Sequence, residues 1–187
     1  MQSLLGVSAA IDKMLAFFGK VGAWAGFLLI FAVCIDVVTR YFGVPKPFGW
    51  NSTQLQESEY WLHTFLFALM IGYAYTRQAH VRIDLVRENF PIKVKYLVEM
   101  VGITIFLFTY SLLGAWYTYK YALSSFLEHE MSKSTIGLSN IWIVKSALVL
   151  MFILMGFAAI SQFIKALAGF RGVLPKEMIA ETLGSEG

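Results

Sequence analysis

Charge is what this sequence has least of. Only 14% of its 187 residues are Asp, Glu, Lys or Arg, while 58% are hydrophobic; soluble domains carry about 25% charged residues. The shortage argues against an ordinary soluble core and makes an integral membrane protein the expected class. Cysteine is nearly missing too. Cys34 stands alone inside an apolar run, so no internal disulfide can form. The net charge of +3 belongs to a chain too apolar for a nucleic-acid binder, and no nucleic-acid partner is expected. The start of the chain also lacks what a secretory signal needs, with no Lys or Arg before Lys13 and the first acid at Asp12. Instead Leu4, Val7, Ile11, Leu15 and Phe18 recur at helical spacing, which predicts an interfacial amphipathic helix over residues 1–19.

What the chain does have is long apolar blocks. They predict an all-α integral membrane protein with spans at about 21–41, 55–76, 92–120 and 141–166. These make a four-helix transmembrane domain over 20–168 and a tail over 169–187. Each span can cross a hydrocarbon layer of about 30 Å at 1.5 Å per residue, the second only if its helix starts early, near Ser52 or Gln54. Helices are expected because lipid offers backbone groups no partners, and the alternation a membrane barrel needs is missing. The prolines punctuate: Pro45 and Pro47 mark a rigid turn after the first span, Pro91 suits the first turn of the third helix, and Pro175 breaks the tail. Asn51, Ser52 and Thr53 offer N-caps for the second helix. An even number of spans puts both termini on one side. That side, with the middle connection, holds ten of the Lys and Arg residues; the other side holds five. The positive-inside rule then predicts both termini in the cytoplasm, in a multi-pass protein.

The span centres lack ionisable groups altogether. Residues 25–33, 64–73, 102–115 and 148–160 contain no Asp, Glu, Lys, Arg or His. Intramembrane ionisable residues mark ion paths and proton relays, so their absence argues that this chain is not itself the translocation route. Charges gather at span ends. Asp36 and Arg40 are four apart and can pair on one helix face. Glu59 and His63 share the same spacing, while Glu57 and Glu59, two apart, point in different directions. Lys145 can snorkel outward or pair with Glu128 or Glu130. The plain reading of each is an ion pair that anchors a helix; contact with another subunit is the alternative. His63, His80 and His129 have no second histidine at helical spacing, Cys34 has no companion, and no phosphate loop or nucleophile–base motif occurs. The expected protein is therefore not an enzyme, with no catalytic residue, metal or cofactor site. Gly19, Gly22 and Gly26 lie at a spacing that lets helices approach, within the bundle or at a partner.

One charged stretch, Arg77-Gln-Ala-His-Val-Arg-Ile-Asp84, joins the second and third spans. Arg77 suits the C-terminal dipole of the second helix. Asp84 can cap a short helix, and Arg82 with Asp84 reads as a local brace or a subunit contact.

In order along the chain come Asp36-Val-Val-Thr-Arg-Tyr41, Trp50 after the proline turn, Leu55-Gln-Glu-Ser-Glu59, Leu62-His-Thr-Phe-Leu-Phe67, Gly72-Tyr-Ala-Tyr75 and His80-Val-Arg-Ile-Asp84. Looser matches follow at Glu130 with Ser132, Trp142, Lys145 and Gln162. This ordered set resembles the small membrane subunit, DctQ-type, of tripartite ATP-independent periplasmic (TRAP) transporters, over about residues 20–165. The resemblance implies a scaffold in a bacterial inner membrane. Its partners would be a large multi-helix membrane subunit, which holds the sodium and substrate sites, and a periplasmic substrate-binding protein that delivers small organic anions such as carboxylates. It also marks Asp36, Arg40, Trp50, Glu57, Glu59, His63, His80, Arg82, Asp84, Glu130 and Lys145 as structural or interface residues. One departure stands out: many members follow the Trp closely with adjacent acids, whereas Trp50 here precedes Asn51-Ser-Thr and the acids come later. A membrane anchor for a redox enzyme, with haem or quinone near His63, is the competing expectation.

Overall fold

A computed structural model describes residues 1–79, 89–134 and 136–183. His80, Arg82 and Asp84 lie outside the described residues. Helices α1 (Gln2–Phe42), α2 (Ser52–Thr76), α3 (Ile92–Gly102), α4 (Thr109–Leu127), α5 (Trp142–Phe170) and α6 (Ile179–Leu183) follow one another, with no strand among the described residues.

Each boundary has a local cause. Helix α1 stops where Gly43 takes φ +64°, a left-handed cap that only glycine adopts without a Cβ penalty, and its N–H bonds the Thr39 carbonyl. Two residues later Pro45 bars any return to helix. Helix α2 starts from a capping box. Asn51 Oδ1 accepts from the Gln54 N–H at 2.8 Å, and Gln54 Oε1 accepts from the Asn51 N–H at 3.2 Å. Pro91 caps the start of α3. Between α3 and α4 the backbone continues as a π-helical turn over Ile103–Phe108, where the Thr109 hydroxyl reaches back to the Thr104 carbonyl at 3.2 Å.

Among the described residues three helical stretches are long and apolar enough to cross a bilayer: Gln2–Phe42, Ile92–Leu127 and Trp142–Phe170. Helix α2 has 25 residues, so it has the length. Its first turns carry Gln54, Gln56, Glu57, Glu59 and His63, and these lower its apolarity.

Helix α5 is the hub. It packs against α1 and α2 on one side and against α3, α4 and the π turn on the other. Its small residues make that possible: Ala158, Ala159, Ala166 and Ala168 are fully buried. Leu15, Leu69, Leu154 and Ala158 form the core where α1, α2 and α5 meet, with Ile11, Phe18 and Tyr73 packed around it. The apolar stripe read for residues 1–19 thus divides, with Ile11, Leu15 and Phe18 turned into the bundle while Leu4 and Val7 stay exposed. There is no break near residue 19; α1 is one helix throughout.

The glycine stripe of α1 serves internal packing. A Cβ on Gly19 would meet the Tyr73 ring at 2.9 Å, one on Gly22 the Met70 side chain at 3.0 Å, and one on Gly26 Leu66 at 3.1 Å. All three neighbours belong to α2.

Candidate functional site: polar ties at the two ends of the bundle

The helix middles are apolar, so the polar chemistry collects at two ends. One, the loop end, holds the α1–α2 turn and the α4–α5 loop. The other, the terminal end, holds the first turns of α1, the end of α2, the start of α3 and α6.

At the loop end, Asp36 is buried and doubly held. Arg40 Nε lies 2.7 Å from one carboxylate oxygen and Lys46 Nζ 2.6 Å from the other. Lys46 also donates to Thr39 Oγ1 at 3.0 Å, so the proline turn is fastened back onto α1. Glu57 ties α2 to the α4–α5 loop. Its carboxylate accepts from the Leu138 N–H at 2.5 Å and from the Ser132 hydroxyl. Asn51 adds a second stitch, donating through Nδ2 to the Ile136 carbonyl at 2.8 Å.

Lys145 pairs with Glu130, not Glu128, and its ammonium sits 3.8 Å from the centre of the Tyr121 ring. That ammonium holds the Glu130 carboxyl below the usual glutamate range. Glu128 instead accepts from the Ser124 hydroxyl at 2.8 Å.

Three other predicted residues differ in kind. Glu59 faces the Asp36 cluster, and its Oε1 is buried without a hydrogen-bond partner among the described residues. His63 does not bond Glu59; its ring packs edge-on against Phe67 at 4.7 Å. Trp50 closes the short turn Pro47–Gly49 and stays 38% exposed beside a groove of about 650 Å3 that Phe31, Ile35, Trp61 and Phe65 also line. Among the described residues no group of three or more His, Cys, Asp or Glu is placed to hold a metal.

Charge counting did not single out the terminal-end network. Lys165 is fully buried, with its ammonium 2.6 Å from Asp12 and 3.1 Å from Glu181. Ser161 donates to Asp12 at 2.6 Å and lies 2.8 Å from the Ser8 hydroxyl. Glu181 also takes Arg77 at 2.7 Å, while Arg77 rests over the Tyr73 ring. Gln162 donates to the carbonyls of Thr76 and Glu181, both at 3.1 Å, and Gln78 donates to the Glu181 carbonyl at 2.9 Å. One network therefore binds α1, α2, α5 and α6. Ser8 with Asp12, and Ser161 with Lys165, are matched polar pairs four residues apart on otherwise apolar helices. That shared spacing was the signal available in the sequence.

The arrangement can clamp helices. Nearly every buried charge at either end already has an opposite charge or a hydrogen-bond donor, as buried ionic groups need. The family model for the DctQ component of tripartite ATP-independent periplasmic transporters matches residues 29–169. No curated protein and no solved structure matches the chain. The matched stretch contains Asp36, Glu57, Glu130, Lys145 and Lys165, which hold these ties, and it takes in about three quarters of the 187 residues. The protein belongs to the DctQ family, the small membrane component of TRAP transporters.

Proposed function

We propose that this small permease subunit acts as a brace for the large membrane subunit, which carries out sodium-coupled uptake of small organic anions such as carboxylates handed over by a periplasmic binding protein. In this reading the chain crosses the bacterial inner membrane four times, α2 included, with the terminal end in the cytoplasm and the loop end in the periplasm. Residues 2–19 of α1 lie at the membrane boundary, beyond the apolar block at 21–38.

The observation that carries the proposal is the division of labour along the helices. Residues 25–33, 64–73, 102–115 and 148–160, the middles of the four proposed spans, hold no Asp, Glu, Lys, Arg or His, while ionic ties between helices lie beyond them. A transport route needs polar groups at midplane; a brace needs fixed ends. Apolar side chains such as Trp24, Phe106, Leu112 and Tyr117 also remain exposed along the outer faces, which leaves area for lipid and a partner.

Co-expression with the genes beside it should bring down a large membrane protein with this chain, and deleting the chain should abolish uptake. A stable, monodisperse chain that purifies alone, together with normal uptake in its absence, would overturn the proposal. Reporter fusions after residue 133 and after residue 183 check the orientation: only the first should report a periplasmic position.

A further inference from the structure

Helix α1 presents a second face, opposite the one that packs on α2 and α5. Lys13, Phe17, Lys20, Trp24, Phe27 and Phe31 recur in alternating steps of four and three, so they line one side of the helix. All are exposed, Phe17 at 62% and Trp24 at 66%. Trp24, Phe27 and Phe31 stack edge to face, with centroids 5.5 Å and 4.9 Å apart. A shallow groove of about 360 Å3 runs between Lys20, Ala23, Trp24 and Phe27.

The two lysines stand about 10 Å apart along the axis. Neither has a carboxylate partner among the described residues. The neighbouring acid, Asp12, is already held by Lys165 and Ser161. Lys20 sits at the polar edge of the apolar block 21–38, so its ammonium lies at headgroup depth while the aromatic ladder runs inward.

We infer that this face of α1 is a binding site for an anionic phospholipid. Its phosphate lies between Lys13 and Lys20, and one acyl chain lies along Trp24, Phe27 and Phe31. Charge complementarity selects the occupant. Two cations without a carboxylate partner among the described residues, in line with an aromatic ladder, match a negative headgroup above a hydrocarbon tail, and tryptophan favours that depth. The inference rests on the membrane location and not on the proposed bracing of a large subunit.

Native mass spectrometry of the full chain in detergent, titrated with phosphatidylglycerol and with phosphatidylcholine of the same acyl chains, tests it. The wild type should retain phosphatidylglycerol preferentially. Lys13→Gln with Lys20→Gln should weaken that binding roughly thirtyfold, about fivefold for each lysine. Lys13→Arg with Lys20→Arg should restore it, and a control of equal charge, Lys93→Gln with Lys176→Gln, should leave it intact. Because both lysines face outward, unchanged thermal unfolding of each variant separates lost binding from lost fold. Equal retention of the two lipids, an equal loss in the control, or undiminished phosphatidylglycerol on the glutamine double variant would overturn the inference. Loss of a co-purified protein or of a dimer, with lipid binding unchanged, would overturn it in favour of a protein-docking face.

Discussion

The ion pairs at the two ends of the bundle span different distances in sequence, although hydrogen bonds from Glu57 and Asn51 also reach far at the loop end. At the loop end Asp36 draws its partners from four and ten residues away, and Glu130 draws Lys145 from fifteen. At the terminal end Lys165 meets Asp12, which lies in the first helix, and Glu181 in the last. The exposures differ as well: the Arg40 side chain is 47% exposed and that of Lys165 not at all. Local pairs shape a turn. Long-range pairs hold separate helices together, and burial makes them costly to break. The terminal end should therefore govern global stability, and the loop end the order of its loops.

The sharpest way to break that contrast is Lys165→Met, which leaves Asp12 without its cation and Glu181 with Arg77 alone. It should cost about 3 kcal/mol in thermal or denaturant unfolding in detergent. Adding Asp12→Asn and Glu181→Gln should recover part of the loss. A cost under about 1 kcal/mol, the usual worth of an exposed pair, would erase the difference between the ends.

Next in size is Glu57→Gln, which weakens charge-assisted bonds to Leu138 and Ser132 and should cost about 2 kcal/mol. Limited proteolysis should show cleavage within residues 128–141 before global unfolding. Cleavage spread evenly over the chain would contradict a loop-specific role.

A smaller effect appears only in acid. Because Lys145 lowers the Glu130 pKa, the pair's contribution is fully present above the ordinary glutamate value of 4.5 and is lost as pH falls through the lowered folded value. Glu130→Gln should remove that part of the acid sensitivity. An unchanged acid profile would count against the pair.

The smallest effect belongs to Arg40→Gln, a barely measurable loss, since Arg40 is exposed and Lys46 stays on Asp36. A loss as large as that of Lys165→Met would show that the proline turn depends on Arg40 and not on Lys46.

The same difference in range explains what could be read from the sequence. Asp36 with Arg40 followed from helical spacing, the Asn51 cap from a polar cluster after a proline turn, and the partner of Lys145 was narrowed to two acids. Spacing could show that Glu57 and Glu59 diverge but not which one meets the loop, because Ser132 and Leu138 arrive only when α5 folds back. The glycine stripe fitted an internal contact or an external one until α2 was seen lying on it. The terminal-end network was hidden for the same reason. Its members become neighbours only through the way α1, α2, α5 and α6 pack, and no periodicity within one helix encodes that packing.

Glu181 and Asp12 both fall outside the family-matched stretch, yet they hold a lysine inside it. During synthesis α1 is made first, but Lys165 lacks its second carboxylate until α6 has left the ribosome. Closure of this end therefore waits for α6. In chimaeras between family members, the transplanted core and its two flanking segments would have to travel together.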